Sequence, residues 1–242
     1  LFPPGVFAFA GRSLKGGDMK LRNTFLLKYF AVMAGALLVI AAPTLAGPPL
    51  ICHAIDIGAE QSLPWTSTGW NLSGQERYDV SRLVPDTLAL LTPSAPVLLR
   101  METLRRATLY GQQRTAVAKE LLLRLEARTR ENPKDALAAF DFGYLMECYK
   151  QASWLHQHTE WLKASGDTAG ASLATKVDGY SWVLKAIALR GSDPQMEFAA
   201  ALMTTDGARG EHDRHLQNAM AGAKADAMLA RNLSSRFPKN AA

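Results

Sequence analysis

This chain is short of everything that would announce a chemistry. It holds no G-x-S-x-G, no H-E-x-x-H, no Walker A and no G-x-G-x-x-G, which excludes at motif level the hydrolase elbow, the helical zinc site and the phosphate cradles those patterns build. Asp141-Phe142-Gly143 spells a protein-kinase tripeptide, but the Gly-rich loop, the V-A-I-K lysine strand and the H-R-D loop that give it meaning are missing. Cysteine is scarce, with two residues, Cys52 and Cys148. Cys52-His53 lacks the first cysteine of C-x-x-C-H, which argues against a covalent c-type haem. No stretch alternates apolar and polar residues as a half-buried strand must. No residue is a catalytic candidate on these grounds, and no cofactor is implied.

The charge is also less than it looks. The chain carries 27 Lys+Arg against 22 Asp+Glu, a basic balance of the kind that attracts nucleic acid. Five of those bases (Arg12, Lys15, Lys20, Arg22, Lys28) and one acid (Asp18) lie before residue 47, which leaves 22 against 21 in the remainder. A nearly neutral body argues against a nucleic-acid partner.

Those first residues read as an export signal. Lys20, Arg22 and Lys28 form a basic start, Tyr29 to Ala42 an uncharged apolar run, and Thr44 and Ala46 stand three and one positions before a cut at Gly47. The expected address is secreted or periplasmic, with cleavage near Ala46. Uncleaved, the segment would be the only membrane contact, although Pro43, Gly47, Pro48 and Pro49 leave too short an apolar helix to cross. Residues 1–18 precede the first methionine, Met19, and are set aside as an extended or mis-started leader. The expected organisation is therefore 1–18 leader extension, 19–46 signal peptide, 47–74 irregular arm, 75–236 helical domain and 237–242 frayed tail.

What remains is rich in Ala and Leu and periodic at helical spacing. Short helices are expected over Gln75–Arg82 and Asp86–Leu91, separated by Pro85. Longer ones follow over Val97–Tyr110, Thr115–Arg130, Lys134 to about Trp154, Leu173 to Gly191, Asp193 to about Thr204 and Glu211–Arg236. Asp193-Pro194 is a cap followed by proline at the first helical position. The strip Ala136, Ala139, Gly143 would let a second helix approach closely. The expected fold class is all-α: a single domain of antiparallel helical hairpins, repeat-like or an irregular bundle. The arm carries Trp65 and Trp70 and is expected to pack down onto that domain.

Asn132-Pro133-Lys134-Asp135-Ala136 followed by Phe142-Gly143-Tyr144 resembles the junction between consecutive tetratricopeptide repeats, where a proline ends one helical pair and a bulky residue plus glycine sits within the next. Ala139 and Met146 depart from that pattern, and stepping by 34 residues from Gly143 meets Leu109 and Val177. The resemblance covers one junction and implies a concave helical surface that binds peptide or protein.

Two readings of function follow. In the first, a protein or peptide partner sits in a groove lined by Tyr144, Trp154, Trp161 and Trp182, although for each of these aromatics taken singly a core position is the commoner one. In the second, Glu211, His212 and His215 form a metal cluster serving a small metal-binding protein or enzyme, since residues three and four apart share a helix face. Asp213 and Arg214 between them give the plainer alternative of a solvated first turn. His156-Gln157-His158 reads as a loop after Trp154. Joining Cys52 to Cys148 would staple arm to body, a bridge worth about 4 to 5 kcal/mol in chain entropy. The alternative is two buried, inert thiols.

Overall fold

The computed structural model describes residues 47–66, 72, 74–112, 114–158, 177–207 and 209–238. All of them lie in one compact unit, Leu45–Ala242. The signal peptide and leader extension expected over residues 1–46 fall outside the described residues, as do Trp70 and Trp161. Among the described residues the protein is all-α and no strand occurs. Its helices are α1 (Leu83–Leu90), α2 (Val97–Gly111), α3 (Thr115–Glu131), α4 (Ala136–His158), α5 (Gly179–Arg190), α6 (Pro194–Met203), α7 (Arg209–Ala223) and α8 (Ala227–Arg236). No helix among the described residues is long and apolar enough to cross a membrane.

Three helices form the centre. Val97 to Arg105 in α2, Ala138 to Met146 in α4 and Met196 to Leu202 in α6 are buried without a break, as a helix surrounded on all sides must be. Helix α4 touches α2, α3, α5 and α6, and α6 in turn carries α7 and α8. The small strip on α4 does what its size allows. Gly143 faces Gly179 at the start of α5, so near that a Cβ on either glycine would stand 2.5 Å from the other's carbonyl oxygen. The contacts run in opposite order along this pair: Gly143 meets Trp182 and Val183, whereas Glu147 accepts a hydrogen bond from Tyr180 N at 3.1 Å.

Local chemistry accounts for most boundaries. The Asp193 carboxylate accepts from Gln195 N and Met196 N, with Pro194 at the first position of α6. Asp135 does the same for Leu137 N and Ala138 N, so α4 starts at Ala136. Gly191, at φ 81°, ends α5 in the left-handed conformation that glycine adopts without strain.

Three expectations are corrected. The helix expected over Gln75–Arg82 is only a 3-10 turn, Val80–Arg82, leading into α1, and Pro85 lies in the first turn of α1, where a missing N–H is no loss. The single helix expected over Glu211–Arg236 is two, because Asp226 caps a new start by accepting from Met228 N and Leu229 N. His156 and His158 belong to the last turn of α4, not to a loop.

The arm, residues 47–66, has no helix, and side chains of the bundle hold it down. Leu50, Ile51, Cys52, Ile55, Ile57 and Leu63 enter the core. Gln151 Oε1 accepts from Leu50 N at 2.7 Å and Glu102 from Ile55 N at 2.9 Å, while Arg105 and Arg106 donate to the carbonyls of Ile51 and Leu63. Trp65 packs edge-on to Tyr110 with Arg105 and Arg106 over its ring. From the other end of the chain, Asn232 exchanges two hydrogen bonds with the backbone of Asp56. The expected frayed tail is also corrected at its start: Phe237 packs edge-on against Phe198 and His212.

Candidate functional site

Where the arm begins, it forms a cleft with the bundle. Gly47, Pro48 and Pro49 make one wall, Lys150, Gln151 and Trp154 of α4 another, and Leu202, Thr205 and Asp206 after α6 a third, with Arg236 of α8 among the lining side chains. The volume is about 520 Å³, within the range of ligand pockets. Trp154 is 50% exposed, and its ring stacks on His158 with centroids 4.3 Å apart. The indole is thus held in place while half of it stays open to water.

Charge lies behind this cleft. The Arg236 guanidinium is buried, its Nη2 donates to the carbonyls of His53 and Ala54 at 2.7 and 3.1 Å, and burial pushes its pKa down to about 10. Its Nη1 and the Tyr144 hydroxyl have no hydrogen-bond partner among the described residues. Next to them Glu102 receives Arg105 Nε and Nη2, both at 2.8 Å, and Arg106 Nε at 2.7 Å. Burial alone would raise the Glu102 carboxyl; the hydrogen bond from Arg105 and the charges of Arg105 and Arg106 outweigh it and hold the group below its ordinary value. One buried carboxylate thus organises two arginines, and both grip the arm that walls the cleft.

Of the aromatics expected to line a groove, Trp154 lines the cleft. Tyr144 does not: it is completely buried, stacked on Phe140. Trp182 sits on α5 in a T-shaped contact with Phe142, with Lys185 Nζ over its ring. Trp161 falls outside the described residues. The residues that complete the cleft, Pro48, Pro49, Gln151 and Arg236, carry no pattern by which a linear reading would group them.

The expected metal cluster does not form. His212 turns its Nδ1 to the Ala201 carbonyl at 3.0 Å, Glu211 is exposed, and His215 is 1% exposed with both ring nitrogens engaged elsewhere. Among the described residues no three His, Cys, Asp or Glu side chains are placed to hold a metal ion. Glu211, Asp213 and Arg214 are exposed, as a solvated turn requires, but His215 points inward. Its Nδ1 lies 2.5 Å from Glu197 Oε2 and its Nε2 2.7 Å from the Tyr180 hydroxyl. The other Glu197 oxygen accepts from Ser192 Oγ at 2.8 Å and Asn218 Nδ2 at 3.1 Å. The signal for this network was a lone carboxylate in the apolar run Met196 to Leu202, which cannot be buried without a partner.

The Cys52–Cys148 bridge is likewise absent. Both are free, buried thiols. Burial raises the pKa of each; Arg105 and Arg236 oppose it at Cys52, and Arg105 at Cys148.

The chain matches no protein-family model, no curated protein and no solved structure.

Proposed function

We propose that this is an exported helical binding protein, secreted or periplasmic, that holds an extended peptide segment of a protein partner in the cleft beside Trp154. The carrying observation is the half-exposed Trp154 indole on the wall of a cleft of about 520 Å³. Trp154 and the open side of Pro49 would take the partner's side chains, and Gln151, Thr205 and Asp206 supply hydrogen-bonding groups. In this reading the helices stack as antiparallel hairpins in the manner of a degenerate tetratricopeptide array, and the arm forms one side of its groove.

The test is capture from the native envelope with a photo-crosslinking residue at position 154, beside a Trp154→Ala variant. One recurrent protein adduct is expected, with the partner's affinity falling about 30-fold or more in Trp154→Ala, as for a buried aromatic anchor. Stability should stay within about 0.5 kcal/mol, because the indole is not core. Sequencing of the envelope form should begin at Gly47. No adduct, with capture unchanged in Trp154→Ala, would overturn the reading.

A further inference from the structure

We propose that Tyr180 is a nucleophile toward activated carboxylic esters, with His215 as its general base and Glu197 as the positioning residue that orients that base. The inference is independent of the binding cleft and rests on a different set of helices: Tyr180 comes from α5, Glu197 from α6 and His215 from α7.

The three side chains form a directed relay. Arg214 Nη2 lies 3.4 Å from His215 Nε2, and a guanidinium can only donate. Glu197 Oε2, a carboxylate oxygen that accepts, lies 2.5 Å from Nδ1, so in the neutral ring Nδ1 carries the proton and Nε2 the lone pair. The Tyr180 hydroxyl, 2.7 Å from Nε2, donates into the same lone pair. Hydroxyl, imidazole and carboxylate in this order are the arrangement that activates a hydroxyl nucleophile, with the third group selecting the tautomer. Ser192 and Asn218 hold the second Glu197 oxygen, so the carboxylate cannot swing away from the ring.

Access is graded in the direction the chemistry needs. Glu197 and His215 are buried, whereas Tyr180 is partly exposed, so the phenol is the one member of the relay a reagent can reach. Burial, and after it the charge of Glu211, holds the phenol above its ordinary pKa. A free phenolate is therefore disfavoured, and the proton must leave as the new bond forms. His215 Nε2 is placed to take it.

The step is acyl transfer. Tyr180 Oη bonds to the ester carbonyl carbon as its proton passes to His215 Nε2. The tetrahedral oxyanion collapses, the bond to the leaving oxygen breaks, and that oxygen takes the proton from Nε2. The products are acyl-Tyr180 and the alcohol. Water, activated by the same Nε2, then releases the carboxylic acid and restores the phenol.

The experiment uses the full chain with p-nitrophenyl acetate, following nitrophenolate release and locating the acetyl group by peptide mass spectrometry. Tyr78 is an internal control, since it is also partly exposed and bonds through its hydroxyl to a carboxylate, Asp86 at 2.9 Å, with no histidine on that hydroxyl. Tyr180 should acetylate about 10²-fold or more faster than Tyr78, the usual contribution of a positioned base. His215→Gln should remove that advantage. Glu197→Gln should lower it and abolish the solvent deuterium isotope effect on labelling, measured at a temperature where circular dichroism shows the variant folded, and Glu197→Asp should recover part of the rate. Tyr180→Phe, which keeps the ring contact with His215, should lose the burst with an unchanged circular dichroism spectrum. Acetylation confined to lysines, equal labelling of Tyr78 and Tyr180, or an unchanged Tyr180 rate in folded His215→Gln would each overturn the proposal. Should His215→Gln fail to fold, the Tyr180 to Tyr78 ratio and the Tyr180→Phe burst decide it.

Discussion

Replacing Gly143 by alanine tests whether α4 and α5 are held at backbone contact. A Cβ at this position would stand 2.5 Å from the Gly179 carbonyl oxygen, 2.7 Å from Trp182 Cβ and 3.1 Å from Val183 N. All three atoms belong to, or are rigidly fixed on, the opposing main chain, so no side-chain rotation relieves the clash. The helices must part by about 0.5 to 1 Å, which forfeits a quarter to a half of each dispersion contact along the crossing. Overpacking of this kind costs about 1 to 3 kcal/mol, and rigid neighbours place it near the upper value. Alanine recovers about 1 kcal/mol of helix propensity. The net loss is about 2 kcal/mol, or about 4 to 8 °C in Tm for a domain of this size. Gly210, in the first turn of α7, has nothing within 4 Å of its Cβ position, so Gly210→Ala should instead stabilise by about 0.5 kcal/mol. The same chemical change then has opposite signs at two sites, read by thermal melts and urea titration. A Gly143→Ala protein melting at or above the parent would refute the close crossing.

Glu102→Gln should cost about 3 to 5 kcal/mol in urea unfolding, because it leaves Arg105 and Arg106 without their common carboxylate. Since the folded Glu102 carboxyl is held below its ordinary value of 4.5, its contribution is complete above that pH and is lost as the pH falls further. Asp141 behaves in the opposite sense. Burial lifts its carboxyl from 3.8 to about 6 against the pull of Arg100, so the native chain binds a proton there that the unfolded chain releases. Stability from this group is present below about pH 4 and is lost as the pH rises through about 6. Asp141→Asn should flatten that slope in urea midpoints measured across the window. Ellman's reagent should find two thiols in the denatured protein and react slowly with the native one, because both cysteines are free and buried; a denatured protein without thiols would restore the disulfide.

Helix positions were legible wherever the chemistry is local. Asp193-Pro194 starts α6 and Gly191 ends α5 because capping and backbone freedom involve neighbours in the chain. The glycine on the small strip of α4 was readable as a place of close approach, since size decides how near another helix can come. The break at Asp226 was not, because a capping aspartate and a solvated helical one occupy the same kind of sequence. The candidate sites were readable only in fragments. Trp154 lines a cleft, but Tyr144, expected beside it, is core, and His215 pairs with Glu197 and Tyr180 in place of the expected Glu211 and His212.

By itself the sequence determined that the described body is helical, where most of its helices start and stop, and that it carries no familiar catalytic motif. The tertiary structure alone decided which aromatic is wet and which is dry, placing Tyr144 in the core and Trp154 at a cleft. It also paired His215 with Glu197 and Tyr180, and brought Arg236 onto the carbonyls of His53 and Ala54, more than 180 positions away. The physical reason is range. Helix periodicity and caps depend on residues within about one turn, whereas burial and polar pairing depend on which distant surfaces meet, and no local pattern along the chain records that.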